Sequence, residues 1–343
     1  MELINYTPFP AMVFESRDLA DQPWHVLVVR ATLTLAPPRP RLGQRQHGLI
    51  LGDQHYGAAT ESSVRDESDL APFKPSTDVL VRGTARAPGG VAATAWEVSA
   101  TVGERTSRVR VTGPRWWTRA SDGRWVLSDP LACSAVPLRY ELAYGGGVRE
   151  GEREEHCENN PLGTGFAPPW WRDGRDRIAA SQIEWPDDPL VDIDRPIAPA
   201  GLGPVGRAWP SRVALAGTFD ERWRTTRWPV MPEDFDDAYW CCAPRGLGAQ
   251  GYLRGDEEVR VTNVGASGEI AFSLPGHTVF ALLRHESGVL MPFAMQLDTV
   301  SLDTDALEVG LVWRLKLALD PPLRALEVRM EFRNPEESRH HGR

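Results

Sequence analysis

The sequence predicts a mainly β protein, with antiparallel β-sandwich or barrel-like sheets and few short helices. Three observations carry this prediction. Alternating, β-branched segments occur towards both ends of the chain, and turn signals separate them every eight to twelve residues. Between them lies a long irregular insert that holds 12 Pro, 11 Gly and 6 Trp in residues 137–236. The density of Pro and Gly in that insert leaves little room for long helices or regular strands.

Residues 1–136 form the predicted N-terminal β region. The segment Trp24–Leu35 is rich in β-branched residues and ends in alternation of Leu and Thr, which indicates a strand. Ser121-Asp-Gly123 is typical of a hairpin turn that leads into a strand at Arg124–Leu127. Other segments of this region with strand character are Lys74–Gly83, Ala95–Val102 and Arg108–Thr112.

Residues 137–236 form the predicted irregular, Pro/Gly/Trp-rich central segment. Tryptophan rarely accumulates in a loop unless its ring packs against something, so we expect this insert to be ordered. We expect it to belong to one continuous fold with the regions on either side.

Residues 237–333 form the predicted C-terminal β region, and residues 334–343 a frayed polar tail. A helix is expected over Asp234–Ala243, with Asp234 as its N-cap and Pro244 beyond its end. The alternation in Leu307–Leu319 favours a long strand, and Arg324–Phe332 is expected to return beside it as a hairpin partner. Shorter strands are predicted at Glu258–Val264, Glu269–Leu274 and Val279–Leu283.

Charge and composition narrow the function classes. The formal charge of −9 argues against a nucleic-acid partner, which would need a basic face. No apolar run approaches the length that spans a bilayer, and the N-terminus lacks the pattern of a signal peptide, so we expect a cytoplasmic protein. The four cysteines show no regular spacing, which is not the pattern of a disulfide framework.

Motif searches predict no cofactor, metal or catalytic site. Two Gly-x-Gly-x-x-Gly matches, Gly201–Gly206 and Gly246–Gly251, lack the strand before and the helix after that a dinucleotide site requires. The pairs His156-Cys157 and Cys241-Cys242 lack the further ligands of a zinc site. The acids between Glu233 and Asp237 are better explained as helix caps than as a catalytic pair, although a triad of distant residues stays open.

Short motifs in order along the chain resemble the domain-of-unknown-function family 2169, which is found beside type VI secretion genes in Gram-negative bacteria. The motifs are Asn5–Phe9, Lys74–Asp78, Gly83–Pro88, Gly113–Trp117, Pro137–Tyr140, Ala143–Gly146, Asn160–Gly165, Pro199–Gly203, Trp209, Arg212, Gly217–Asp220, Trp223, Pro232–Asp236, Asp298–Asp305 and Trp313-Arg314.

The resemblance implies a non-enzymatic adaptor or chaperone for a type VI secretion effector. Such a protein would bind an effector with a PAAR-like spike-tip domain and assist its loading onto the VgrG spike, with no cofactor and no metal. Tryptophan and arginine are frequent energetic centres of protein interfaces, which makes the Trp-rich motifs candidates for contact with the partner. The candidate partner-binding residues are Trp116, Trp117, Tyr144, Asn160, Trp170, Trp171, Trp209, Arg212, Asp220 and Trp223.

Two alternatives remain at this point. One is a carbohydrate-binding or carbohydrate-active β protein that stacks sugars on surface Trp rings and uses the acids Asp234–Asp237. The other is a purely structural accessory of the secretion baseplate.

Overall fold

The computed structural model describes residues 1–248, 250–318 and 322–331. The strands of the first part of the chain are β1 (Glu2–Asn5), β2 (Ala11–Arg17), β3 (Pro23–Thr34), β4 (Arg41–Leu42), β5 (Gln54–His55), β6 (Val64–Asp66), β7 (Asp78–Arg82), β8 (Thr84–Arg86), β9 (Ala95–Val102), β10 (Arg105–Thr112), β11 (Trp116–Arg119), β12 (Trp125–Leu127) and β13 (Ala135–Pro137). Those of the second part are β14 (Tyr144–Gly145), β15 (Gly147–Glu150), β16 (Arg153–His156), β17 (Thr164–Gly165), β18 (Arg177–Ala179), β19 (Ile183–Glu184), β20 (Glu258–Thr262), β21 (Glu269–Ser273), β22 (Thr278–His285), β23 (Leu290–Ala294), β24 (Gln296–Asp303), β25 (Glu308–Ala318) and β26 (Leu323–Glu331).

The helices are short and lie in the central segment. They are α1 (Pro169–Arg172), α2 (Pro210–Val213) and α3 (Glu221–Thr226), and single 3-10 turns occur at Pro88–Gly90, Tyr140–Leu142 and Asp237–Trp240. Among the described residues, no helix has the length and apolar character needed to cross a membrane.

Three large sheets organise the molecule. One has the order β2-β3-β25-β24-β7, with β4 added at β3; the second has the order β19-β10-β9-β20-β21, and the third β1-β26-β22-β23. The pairs β1–β26 and β7–β24 are parallel, and the other pairs within these sheets are antiparallel. The expected fold class is therefore confirmed: the protein is mainly β with several antiparallel sheets, and no sheet of the described residues closes into a barrel.

The three sheets share one apolar core. Their inner faces contribute alternating residues such as Leu27 of β3, Val98 of β9 and Val279 of β22, each fully buried. The central segment packs into the same core, because Tyr140 and Leu202 belong to the same cluster. A smaller cluster contains Trp117, Tyr144, Ala167, Ile178, Ala180, Leu190 and Ile197.

Most local predictions are confirmed. The strand predicted at residues 95–102 is β9, and the predicted turn at residues 121–123 joins the antiparallel pair β11–β12, with Gly123 at a φ of 85°. The long alternating strand is β25, which buries Val309, Leu311, Trp313 and Leu317. It begins at Glu308, one residue later than predicted. The predicted frayed tail lies outside the described residues.

Two local predictions are wrong. Strand β26 does not return beside β25, because β3 and β24 occupy both edges of β25; it pairs with β1 and β22. The expected helix at 234–243 is only the 3-10 turn Asp237–Trp240, capped by Asp236, which accepts a hydrogen bond from the backbone of Ala238. Asp234 instead accepts hydrogen bonds from the backbone and hydroxyl of Thr218, at 2.9 and 2.7 Å.

A buried polar network joins the six-stranded sheet to the segment before β7. Arg314 of β25 pairs with Asp298 of β24 at 2.5 Å and also donates to the carbonyl oxygens of Asp69 and Ala71. Arg30 of β3 pairs with the Asp69 carboxylate at 3.1 Å. The side chains of these ion pairs are at least nine-tenths buried, so each charge depends on its partner for the solvation that it has lost.

Lys74 and Asp78 extend this network. Their side chains lie 2.7 Å apart and are almost completely buried, and Asp78 also accepts hydrogen bonds from the backbones of Cys242 and Ala243. Burial lowers the pKa of Lys74, but the negative charge of Asp78, together with that of Asp298, outweighs burial and raises the pKa above its usual value. Lys74 is therefore charged in the interior.

We expect Arg314→Leu to lower the free energy of unfolding by about 3–5 kcal/mol, because it leaves Asp298 charged and unpaired in the core. Urea unfolding followed by tryptophan fluorescence measures the change. The matched control is Arg260→Leu on β20, whose ion pair with Glu269 spans 3.5 Å between exposed side chains and contributes about 0–1 kcal/mol. Equal losses in the two variants would contradict a structural role for the buried network.

Candidate partner-binding cleft

An open cleft with a volume of about 510 Å³ lies between the residues around β5 and β6 and the central segment. We call it the central cleft. Apolar surface exceeds polar surface in its lining. Its apolar wall includes Tyr140, Pro161, Leu162, Pro204 and Trp209, and its polar wall includes Asp53, His55, Glu154, His156 and Arg207.

Asn160 fixes one wall of the central cleft. Its side-chain amide donates hydrogen bonds to the carbonyl oxygens of Tyr140 and Tyr144, at 2.8 and 3.0 Å. Gly145, at a φ of +147°, and Gly163 pack so closely against Asn160 that a Cβ at either position would collide with it. The motifs 143–146 and 160–165 therefore interlock, which presents Pro161 and Leu162 to the cleft.

Tyr140 and Trp209 form an aromatic corner. Their rings meet edge to face, with centroids 4.8 Å apart and an interplanar angle of 70°. The Tyr140 hydroxyl donates to the carbonyl oxygen of Gly203 at 3.1 Å, and burial raises the pKa of Tyr140. Gly201 lies against the same ring without room for a side chain. The motif 199–203 thus forms the surface against which the Tyr140 ring packs.

Arg212 anchors helix α2 beneath the cleft. It pairs with buried Glu67 and donates to the carbonyl oxygens of Val205 and Tyr239, at 2.8 and 3.0 Å. Arg207 makes longer ion pairs from the same segment, at 3.3 Å to Asp53 and 3.5 Å to Glu67. These contacts tie residues 53–67 to residues 205–212, so the two sides of the cleft are held at a fixed separation.

The opposite wall is a turn between β5 and β6. The His55 Nδ1 atom lies 2.9 Å from the carbonyl oxygen of Ser62, and since a carbonyl cannot donate, Nδ1 carries the proton. Ser63 donates from its backbone and its hydroxyl to the Glu141 carboxylate, at 2.9 and 2.7 Å. The turn is thereby joined to the 3-10 turn that contains Tyr140.

The chemistry of the central cleft suits binding. Aromatic and proline side chains provide apolar contact area, and a few charged groups at the margin provide orientation. Within residues 1–248, 250–318 and 322–331, no group of three or more His, Cys, Asp or Glu side chains is arranged to hold a metal ion.

Several candidate residues are buried and make structural contacts. Asn160 and Arg212 hold the cleft as described, and Trp117 and Tyr144 lie in the smaller apolar cluster. In this structure these four side chains are not accessible to a partner. These residues therefore determine the shape of the surface without forming part of it.

Three other candidate tryptophans are partly exposed, but each has a guanidinium over its ring. Arg177 lies 3.6 Å from the ring centroid of Trp116, Arg153 4.2 Å from that of Trp170, and Arg175 3.9 Å from that of Trp171. These cation–π contacts cover one face of each ring.

Asp220 and Trp223 belong to helix α3. Asp220 caps it by accepting a hydrogen bond from the Trp223 backbone at 2.7 Å, and the Trp223 indole donates to the carbonyl oxygen of Val230 at 2.8 Å. Two aromatic residues beside this helix were not among the candidates. Phe219 is 53% exposed and Trp228 is 68% exposed. Phe219 belongs to the motif Gly217–Asp220 and Trp228 to a turn-rich segment, but neither signal distinguishes a buried ring from an exposed one.

The fold and the cleft define a mainly β protein with an ordered central segment that shapes an open apolar surface. The chain belongs to the DUF2169 family, described as "Uncharacterized protein conserved in bacteria", whose model matches residues 20–314. No curated protein and no solved structure matches the chain. The family expected from the sequence motifs is thus confirmed, and the family match indicates no catalytic class.

We expect Asn160→Ala to lower the free energy of unfolding by about 1–3 kcal/mol, because two buried carbonyl groups lose their hydrogen-bond donor. Chemical denaturation measures the effect. The neighbouring exposed residue provides the control, since Asn159→Ala removes the same group where water can replace it. If the two variants are equally stable, Asn160 does not hold the cleft wall.

Proposed function

We propose that the protein is a cytoplasmic adaptor or chaperone that binds a type VI secretion effector with a PAAR-like spike-tip domain and assists its loading onto the VgrG spike. The observation that carries this proposal is the central cleft. It is open and largely apolar, and three of the motifs that carry the resemblance to the family contribute residues to its lining: 137–140, 160–165 and Trp209.

The construction of the cleft favours binding of a protein segment. The interlocked glycines, the Tyr140–Trp209 corner and the Arg212–Glu67 pair hold its shape without a ligand. A preformed site loses less conformational entropy on binding than a flexible one. An apolar side chain of the client can therefore enter between Leu162 and Trp209 with little rearrangement of the adaptor.

The charge of the protein favours a basic client. The chain carries a formal charge of −9, and Glu154, whose ion pair with Arg149 is long at 3.9 Å and exposed, lies at the margin of the cleft. Electrostatic complementarity of this kind raises the rate of encounter more than it raises the final affinity. Binding should accordingly weaken as the salt concentration rises.

The structure offers less support for the carbohydrate-binding alternative. A sugar stacks on the free face of an aromatic ring, and Trp116, Trp170 and Trp171 already have arginine side chains over one face. The acid Asp234 bonds to Thr218, which accounts for its position without a catalytic role.

The test is co-expression with a candidate effector that carries a PAAR-like domain. Ala208 is exposed and lines the cleft, so Ala208→Trp places a large ring in the space that the client would occupy. We expect this variant to lose co-purification of the effector and to reduce its soluble yield about tenfold or more, as for a blocked interface centre.

The control for this experiment is Ala214→Trp, an exposed position at the end of α2 that does not line the cleft. It should leave effector binding unchanged. An effector that is equally soluble and equally secreted without the adaptor would refute the proposed function. An effector that needs the adaptor but binds both variants equally would place the client surface elsewhere.

A further inference from the structure

The sheet β1-β26-β22-β23 has a second surface of interest on the side away from the core. Val279, Ala281 and Leu283 of β22 point into the core, so the alternate residues of this strand lie on the other side. We call that side the outer sheet face. The register places three rows of side chains on it: Ile4, Glu327, Leu282 and Pro292; Arg329, Phe280 and Ala294; and Glu2, Ala325, Arg284 and Leu290.

Much of the outer sheet face is apolar. Phe280 and Leu282 are half-buried by their neighbours, but neither belongs to any of the three apolar clusters of the described residues. Leu290 is 50% exposed, and every residue of β23 is exposed. An apolar strand at the margin of a sheet is a site for contact with another protein chain.

The edge of β23 is blocked against addition of another strand. The backbone amides of Met295 and His285 bond across the β22–β23 pair, to Val279 and Val289. In an antiparallel ladder this pattern alternates, so residues 290, 292 and 294 direct their backbone groups outwards. Pro292 has no N–H to offer there. A partner is therefore expected to contact the side chains of the face.

The outer sheet face also presents spare positive charge beside its apolar residues. Glu327 is 1% exposed and lies between Arg284 and Arg329, which are both partly exposed. Within the described part of the chain, Arg284 donates to Glu327 through Nε, which leaves its two terminal nitrogens for another acceptor. Two further acids belong to this sheet: Glu2 is in the same row as Arg284 but two strands away from it, on β1, and Glu331 is at the end of β26, paired with Thr278.

We propose that the outer sheet face binds an acidic amphipathic segment of a partner protein. The partner places apolar side chains on Phe280, Leu282 and Leu290. Its carboxylates accept hydrogen bonds from the two terminal nitrogens of Arg284 and from Nη1 of Arg329, whose Nε and Nη2 atoms already donate to Glu327. Carboxylate–guanidinium hydrogen bonds are the strongest that such a surface can add to apolar contact. This surface shares no residue with the central cleft, so the proposal goes beyond the function proposed above.

The test selects ligands from a random library of 12-residue peptides on phage, with the full-length protein as target and the Leu282→Glu variant for counter-selection. Retained peptides are synthesised and their Kd is measured by fluorescence anisotropy. We expect them to combine Asp or Glu with apolar residues and to bind Leu282→Glu about tenfold more weakly, since the substitution brings a negative charge to the centre of the contact.

Two matched variants separate the apolar and the charged contributions. Arg284→Ala should weaken binding about fivefold, whereas Arg260→Ala, at an exposed ion pair of another sheet, should have no effect. Val126→Glu, at an exposed valine of β12, controls for an added negative charge. Thermal unfolding establishes that each variant is folded.

Selection of basic or uncharged peptides would overturn the proposal, as would the absence of any peptide that depends on Leu282. Both results are independent of the effector experiment, because the peptide library replaces the client. If the proposed adaptor function is refuted, the peptide experiment can still support the outer sheet face as a binding surface. If the peptide experiment fails, the proposed adaptor function is not affected.

Discussion

The buried ion pairs around Asp69 are the constraint on which the rest of the structure depends. Arg30 holds the Asp69 carboxylate and Arg314 holds its carbonyl oxygen, so the segment before β7 is fixed against two strands of the six-stranded sheet. Glu67, two residues earlier, is thereby placed beneath α2, where it pairs with Arg212. The position of one wall of the central cleft thus follows from charges buried in the sheet.

This arrangement explains why so many charged residues lie in the interior of the protein. A buried ion pair gains little net stability, because desolvation offsets most of the attraction, but loss of one partner is costly. Incorrect placement of the segment around Asp69 would leave Arg30 and Arg314 without their partners. The network therefore penalises alternative packings of a segment that has little regular secondary structure of its own.

The sequence predicted the individual strands well and their partners poorly. Alternation is a local property, and it identified β9 and β25 from their own residues. Strand pairing depends on which edges are free in three dimensions, and nothing within 324–332 indicates that β3 and β24 already flank β25. The acids at 234–237 show the same limit. In the sequence, an aspartate that accepts hydrogen bonds from a distant residue, as Asp234 does from Thr218, cannot be distinguished from one that caps the next turn, as Asp236 does.

The sequence identified several residues of the candidate site correctly, but it did not show what each residue does there. The motifs drew attention to Asn160, Trp209 and Arg212, and all three shape the central cleft. Composition could not show that Asn160 and Arg212 are buried, since an amide or a guanidinium is suited equally to a partner and to the carbonyl groups of its own chain. Exposed Trp228 was missed for the converse reason, because no local pattern separates an exposed ring from a packed one.

The two proposed surfaces differ in how much of each lies within the residues that the family model matches. This difference bears on which side chains can change without altering the central cleft. The central cleft is built from residues that the family model matches, whereas the outer sheet face is divided: β22 and β23 lie within residues 20–314, and β1 and β26 lie outside them. Side chains on β26 can change without disturbing the Asn160 wall or the Arg212 anchor, since the two regions share no hydrogen bond in the described residues. Two surfaces that share no residue would allow the affinity of each proposed contact to change without loss of the other.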